Sequence, residues 1–330
     1  MPRVVIAFKM HRRGVEKLRA NGIDFTMYDG RYPPREWFEH NLSDAEILVV
    51  TPIHRVDEEI LSIAPKLRLV LLHGSGYDRI DIDACSRRRI CVARVHRYVN
   101  EAVAEFALAL ALAAVRNVVV GDRFVRSGRW TEGPAPRALL SRSLRSLTVG
   151  IVGMGDIGYR VARLFRMLGV EVVYWSRRRK LDVEASLGVK YLDLDELLSL
   201  SDIVIVCLAL TSETRRFIDR SKIFKMKRGS ILINISRGEV IDTEALVEAL
   251  REGHIALAAL DVFEHEPIDP SHPLINLENT ILTPHIAGYT ADAMELTSLA
   301  VAETVIRFLR GEGLGEAQPI NEDVCSVICT

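Results

Sequence analysis

The sequence lacks a dominant charge, a cysteine framework and an apolar run long enough to cross a bilayer, and each absence removes a class of function. Its 43 Lys and Arg nearly balance 44 Asp and Glu, for a formal net charge of −1. No global field therefore draws the chain to nucleic acid or to an anionic membrane, and the local cluster Arg87, Arg88 and Arg89 reads as solvated surface. Cys85, Cys91, Cys207, Cys325 and Cys329 are odd in number and offer neither a C-x-x-C pair nor the spacing of a zinc site or disulfide framework. They read as small buried hydrophobes, with a redox or crosslinking role for the Cys325/Cys329 tail as the alternative.

The most apolar run, "VAEFALALALAAVRNVVV" from Val103, is interrupted by Glu105, Arg116 and Asn117. About ten uninterrupted apolar residues remain, against the ~20 that span a bilayer. The opening "MPRVVIAFKM" is too short in apolar residues for a secretory signal and reads as a first strand, so a cytoplasmic address is the default expectation. No solenoid repeat or low-complexity segment is present.

What is there is a chain of 330 residues, 48% hydrophobic and 26% charged, long enough for about two globular domains. Val/Ile/Leu-rich runs ("RVVIAF", "EILVV", "RLVLL", "LTVGIV", "VEVVYW", "DIVIVCL", "SILINI", "ALAALDV", "TILTP") alternate with helical patterns. That alternation predicts parallel sheets covered on both faces, an α/β fold. The expected architecture is two Rossmann-like domains, one flavodoxin-like and one dinucleotide-binding, with a cleft between them. A long helix from about Asn100 to Arg126 would separate the two strand sets, and a second, about Tyr289 to Arg310, would carry the chain back. The substrate-binding domain is thus expected from residues 1–99 and 287–330, and the NAD(P)-binding domain from 100–286.

After the strand "LTVGIV" stands Gly153-Met154-Gly155-Asp156-Ile157-Gly158, a G-x-G-x-x-G that runs into a helical pattern, as the dinucleotide fingerprint requires. Gly153 would allow the tight turn, Gly155 would let backbone amides approach a pyrophosphate at the helix N-terminus, and Gly158 would permit close helix-to-strand packing. The next strand should end at the residue that reads the adenosine ribose, commonly an acid for NAD. Here Ser176 stands there, followed by Arg177, Arg178, Arg179 and Lys180. A hydroxyl and a guanidinium fork suit a 2′-phosphate that an acid would repel, so the cluster reads as an NADP site, with NAD as the other cofactor it could take. Arg177 is the first choice for the phosphate, Ser176 and Arg178 next, and Arg179 and Lys180 read as surface.

Three downstream segments, "INISRGEVID", "LDVFEHEP" and "TPHIAG", each place a polar residue after an apolar strand: Arg237, Glu266 and His285. The carboxyl ends of parallel strands are where open α/β sheets bind ligands. Taken together, the three fit the reduction of a 2-oxo acid. His285 would donate a proton to the carbonyl oxygen, Glu266 would orient the ring and stabilise its charge, and Arg237 would clamp the substrate where negative charge develops.

The segments "GSGYDRIDID", "VAEFALAL", "GIVGMGDIG", "INISRGEVIDTEALVEAL", "ALDVFEHEP" and "LTPHIAG" resemble the D-isomer-specific 2-hydroxyacid dehydrogenases over essentially the whole chain. Through "YWSRRRK" the chain most resembles their NADP-preferring glyoxylate/hydroxypyruvate reductases. The resemblance implies that Arg237, Glu266 and His285 form the catalytic set, while Glu264 matches an acid outside it. It implies that backbone amides of the turn from His73 through Gly74, Ser75 and Gly76 meet the substrate carboxylate. It also implies cofactor contacts at Val103, Asp156, Ile157, Leu208, Thr214, Ile235, Asp261 and Gly288, with Arg237 and His285 facing cofactor as well as substrate. Asp261 would orient the nicotinamide carboxamide, a structural capping role being its alternative. Homodimers joined through the nucleotide domain are expected.

Arg79 stands where the family commonly has Asn, His73 is unusual before the substrate turn, and Ala209 replaces a common proline. The first two bear on which 2-oxo acid fits, the third on the rigidity of a cofactor-facing loop. The alternatives are a dehydrogenase for another 2-oxo acid, 3-phosphoglycerate and sugar acids included, and a dinucleotide-sensing protein like the corepressors that resemble this family. The latter is disfavoured because no disordered extension for partner docking is evident.

Overall fold

The computed structural model describes residues 3–134 and 136–328, without the side chain at 138. The strands, in chain order, are β1 (Val4–Ile6), β2 (Phe25–Met27), β3 (Ile47–Val50), β4 (Leu69–His73), β5 (Cys91–Val95), β6 (Thr148–Val152), β7 (Glu171–Trp175), β8 (Lys190–Tyr191), β9 (Ile203–Val206), β10 (Ser230–Asn234), β11 (Ile255–Leu260), β12 (Thr280–Leu282) and β13 (Gln318–Pro319). The chain divides into two compact units, residues 1–100 with 289–330, and residues 101–288.

In the first unit the sheet order is β13-β5-β4-β3-β1-β2. Apart from the antiparallel edge strand β13, all pairings are parallel, so the order 2-1-3-4-5 is that of flavodoxin-like sheets. Burial on both faces explains the unbroken apolar runs. Val4, Ile6, Ile47, Val49, Leu69 and Leu71 pack on one side, with residues of the helix Ala291–Arg310. Val5, Leu48, Val50, Val70 and Leu72 pack on the other, with Phe38, Leu61 and Ala84 of three further helices. Each buried Val or Leu contributes roughly 1.5–3 kcal/mol relative to exposure.

The second unit's sheet is parallel throughout, in the order β12-β11-β10-β9-β6-β7-β8. Its order reverses between β6 and β9, the doubly wound arrangement in which ligands bind outside the carboxyl ends at the switch point. Both units thus carry the parallel-sheet α/β architecture expected from the strand runs.

Two expectations are corrected. The helix expected from Asn100 to Arg126 is two helices, Arg97–Val115 and Val118–Arg126. They part at Asn117, which adopts a left-handed backbone with φ 55° and donates from Nδ2 to the Leu139 carbonyl at 3.2 Å. Asn tolerates that conformation better than most residues, so a periodicity that looked continuous turns there. The first of these helices is long and apolar enough, by length and composition, to cross a bilayer, but half of its apolar window is buried inside the protein.

The cysteines are the second correction. Cys91, at the start of β5, forms a disulfide with Cys325 on the C-terminal helix Glu322–Ile328, their Cα atoms 4.6 Å apart across a sequence separation of 234. Local spacing carries no trace of this pair because the chain's return to the first sheet brings it together. Cys85 is buried as expected, its thiol pushed up to about 12 chiefly by burial. Cys329, the other half of the tail pair, lies outside the described residues.

Candidate active site

The fingerprint turn joins β6 to the helix Asp156–Met167, and each glycine meets a different constraint. Gly153 has φ 106°, and a Cβ there would lie 2.7 Å from the Cys207 carbonyl oxygen. At Gly158 a Cβ would sit 2.1 Å from the Gly153 carbonyl oxygen, so helix and strand approach closely only because the side chain is absent. Gly155 differs, since a Cβ there would meet nothing within 4 Å. It caps a twelve-residue helix with no side-chain cap bond, leaving open space over the helix N-terminus. Those are the features a pyrophosphate needs, backbone donors and a positive helix end with no side chain in between.

Ser176 follows β7 and is 9% exposed. Its hydroxyl donates to the Arg178 carbonyl at 2.7 Å, closing the turn. Arg179 makes a two-point pair with Glu184, which also accepts from the Tyr174 hydroxyl, and that hydroxyl accepts from the Lys180 amide. Arg177 meets Glu213 at 3.2 Å. After β9, the Thr214 hydroxyl donates to the Ala209 carbonyl at 2.6 Å and accepts from the Thr211 amide at 2.7 Å. This ties down the loop at the position where a proline is replaced by Ala209. Leu208 lies beside the fingerprint, its Cδ2 3.0 Å from where a Gly153 Cβ would be. Val103 and Ile235 are buried.

The three catalytic candidates follow β10, β11 and β12. Asn234 closes the first turn, donating to the Arg237 carbonyl at 2.9 Å while its Oδ1 accepts from the Ser236 amide and hydroxyl. Gly238 lets this turn lie against the next loop, because a Cβ there would fall 1.9 Å from the Phe263 carbonyl carbon. His285 Nδ1 lies 2.7 Å from Glu266 Oε2, and the other Glu266 oxygen accepts from the Phe263 amide at 3.1 Å. Burial opposes ionisation of Glu266, but its bond to His285, the imidazole charge, the Phe263 amide and the Arg237 charge prevail and hold its carboxyl below the ordinary value.

His285 itself has φ 54°, an uncommon conformation for a non-glycine residue. Asp261, 1% exposed at the end of β11, secures that turn. Its Oδ1 accepts from the Thr283 hydroxyl at 2.6 Å and the Ile286 amide at 2.9 Å, and its Oδ2 from the Ala287 amide at 2.8 Å. Burial raises the Asp261 carboxyl above its ordinary value, with these three bonds pulling the other way. The capping role considered for Asp261 is therefore present in the geometry.

The fingerprint turn, Arg237, Glu266 and His285 follow strands of one parallel sheet, and the comparisons with known proteins agree on what such a sheet belongs to. Residues 108–287 match the D-isomer specific 2-hydroxyacid dehydrogenase, NAD binding domain. A glyoxylate reductase of Aeropyrum pernix is 41% identical over 316 residues, covering 94% of each chain. The chain belongs to the D-isomer-specific 2-hydroxyacid dehydrogenases. It is an NAD(P)-dependent oxidoreductase of 2-oxo acids and 2-hydroxy acids.

Solved structures similar to this dehydrogenase differ in their dinucleotide. A D-lactate dehydrogenase from Aquifex aeolicus, complexed with NAD and lactic acid, superposes with a TM-score of 0.82 at 30% identity, covering 94% of this chain and 96% of that one. An NADPH-dependent glyoxylate/hydroxypyruvate reductase from Sinorhizobium meliloti, in complex with NADP and malonate, gives 0.83 at 28% identity and 97% coverage of both. A nicotinamide dinucleotide fits the residues present here, as the uncapped, open helix end at Gly155 attests.

In the dehydrogenase's first unit, Gly74 has φ 138° and its amide donates to the Val95 carbonyl, so within the turn the amides of Ser75 and Gly76 are the ones left to meet a ligand. Arg94 holds the turn by donating to the Ser75 carbonyl at 2.9 Å. The His73 side chain turns into the core instead, edge-on to Phe8 and 3.0 Å from the Ser298 hydroxyl. Burial pushes its imidazole down to about 4. Sequence reasoning passed over Asn234, which closes its own turn, and Gly238, Thr283 and Glu213, whose roles arise from contacts between loops.

Proposed function

We propose that the protein is an NADP(H)-preferring reductase that converts glyoxylate or hydroxypyruvate to the D-2-hydroxy acid, with His285 as proton donor. The observation that carries this reading is the 2.7 Å contact of His285 Nδ1 with Glu266 at the strand edge that also bears Arg237. An ionised carboxylate only accepts hydrogen bonds, so Nδ1 carries a hydrogen and Nε2 is the nitrogen left to give a proton to the substrate oxygen. Arg237 would orient the 2-oxo acid and stabilise charge developing on its carbonyl oxygen. The amides of Ser75 and Gly76 would hold the substrate carboxylate, making the first unit the substrate-binding domain and the second the cofactor domain.

The dinucleotide supplies a hydride when bound. The Gly155–Gly158 helix end would hold its pyrophosphate, Arg177 and Arg178 its 2′-phosphate, and Val103, Leu208, Thr214, Ile235 and Gly288 would border it. Asp261 would meet the carboxamide as well as anchoring the His285 turn. A cytoplasmic homodimer joined through the second unit completes the proposal. Support comes from the likeness to glyoxylate reductases and from the absence of an acid after β7.

The test is the initial rate of NADPH and of NADH oxidation with glyoxylate, then hydroxypyruvate, at matched subsaturating cofactor. NADPH preference with either acid supports the whole reading. NADH preference with good turnover removes the phosphate-binding role of the arginine cluster, and no turnover moves the substrate to another 2-oxo acid.

A further inference from the structure

The four cations after β7 are not equivalent. Arg179 is bound at two points by Glu184 and lies 5.9 Å over the Tyr191 ring, which commits it to the loop's own structure. The Ser176 hydroxyl has given its hydrogen to the Arg178 carbonyl, so it has none for a phosphate oxygen. Arg177 already holds an anion, Glu213 Oε2, at 3.2 Å.

Glu213 reaches it from a neighbouring loop whose backbone is fixed. Thr211 and Thr214 close that turn through their hydroxyls, and the Arg215 amide bonds the Thr211 carbonyl. The other cations of the loop face elsewhere: Arg216 pairs with Asp242 at 2.9 Å, and Arg215 lies 4.0 Å from Glu239. Both partners of the Arg177–Glu213 pair are well exposed, with side chains 75% and 70% accessible, so the contact is weak and exchangeable.

We propose that Glu213 is a cofactor-specificity residue that occupies Arg177 in place of a 2′-phosphate and so limits the preference for NADP over NAD. The inference rests on the reading of Arg177 as the residue that meets the phosphate. A 2′-phosphate must displace the carboxylate from the guanidinium or share the guanidinium with it, in either case like charge near like charge. A cofactor with a free 2′-hydroxyl leaves the pair undisturbed. Glu213 therefore penalises the phosphorylated cofactor selectively.

The experiment compares the wild type, Glu213→Gln, Arg177→Ala and the double variant, using competitive inhibition by 2′,5′-ADP and by 5′-AMP alongside KM for NADPH and NADH. Glu213→Gln should tighten 2′,5′-ADP and lower the NADPH KM by about two- to fivefold at low salt, the upper range of a weak exposed charge pair. The change for 5′-AMP and NADH should stay under about twofold, and the selective gain should shrink by half a molar salt, where the screening length falls toward ~4 Å. In the Arg177→Ala background the gain should disappear. If Arg177→Ala weakens both inhibitors equally or neither, the reading of Arg177 falls and takes this inference with it. If Arg177→Ala weakens 2′,5′-ADP alone while Glu213→Gln changes nothing, or shifts both inhibitors by one factor, Arg177 keeps its role and the inference about Glu213 is overturned.

Discussion

Removing the carboxylate of Asp261 should release the turn that presents His285, and the structure allows the cost to be worked out. In Asp261→Ala the Ile286 and Ala287 amides lose their acceptors, while the Thr283 hydroxyl can rotate to a new partner. An unsatisfied buried donor costs about 1–3 kcal/mol, and the left-handed conformation of His285 adds ~1–2 kcal/mol that nothing would then offset. The turn should relax and escape part of both, for a net loss of about 2–4 kcal/mol. At ~2–4 °C per kcal/mol, the melting temperature should fall by roughly 5–15 °C.

Asp261→Asn behaves differently because the carboxyl is raised by burial. A raised folded value means that the folded protein holds this proton more tightly than the unfolded chain. The stability so gained is complete below the unfolded value, ~3.9, and is lost as pH rises through the folded value, so at neutral pH the ionised group is a net burden. Asn removes that burden while giving up one of the three bonds, and stability should stay within about 1 kcal/mol of wild type. Activity should fall in both variants, since a displacement of about 1 Å in the proton donor costs ~10²-fold in turnover. Thr283→Val deletes a single donor at a residue with no proposed cofactor contact and should lower kcat by about three- to tenfold while sparing NADPH affinity. Thermal melts, steady-state kinetics and hydrogen exchange at the Ile286 and Ala287 amides read the three effects. A melting temperature within about 2 °C of wild type for Asp261→Ala, with unchanged protection of those amides, would refute the reasoning.

His285→Ala should lower kcat by about 10²–10⁴ with little change in the dissociation constant for NADPH, measured by fluorescence, because proton donation acts only in the transition state; undiminished turnover removes His285 from the mechanism. The depressed Glu266 carboxyl contributes stability that is present above its unfolded value, ~4.3, and is lost as pH falls through the lower folded value. Urea melts should therefore show the advantage of wild type over Glu266→Gln narrowing below about pH 4; a constant difference from pH 7 to 3 contradicts the coupling. Reducing the Cys91–Cys325 disulfide, which closes a separation of 234 residues, should destabilise the first unit by about 2–5 kcal/mol. Identical melts with and without a phosphine reductant would rule this out.

The elements that could be read from the sequence are those whose residues face one environment throughout. β3 and β9 are apolar at every position, and β4 at all but its last residue, His73, because both faces of a parallel sheet are covered, and the chain shows it as "ILVV", "IVIV" and "LVLLH". β2 escaped because it is an edge strand with three half-buried residues, "FTM", and β8 and β13 are two residues each. No periodicity develops over so short a span. The break at Asn117 was hidden because a left-handed residue leaves the surrounding apolar pattern intact.

The site divides along the same line. Glycines at a turn and polar residues just after apolar strands announce themselves, because the chemistry is carried by residue type at a fixed place along the chain. What makes those residues work together is carried by space instead. Gly238 is needed only because Phe263 passes against it, Asp261 is held only because three donors from another loop converge on it, and Arg177 meets a carboxylate only because the loop after β9 delivers Glu213. Each of these partners is 22 to 36 residues away in sequence, at a distance set by loop lengths rather than by any repeat. Cofactor preference in this family should accordingly depend on the pairing of the residues after β7 with that loop, and swapping the arginine cluster alone into an NAD-dependent relative should transfer less of the NADP preference than swapping both.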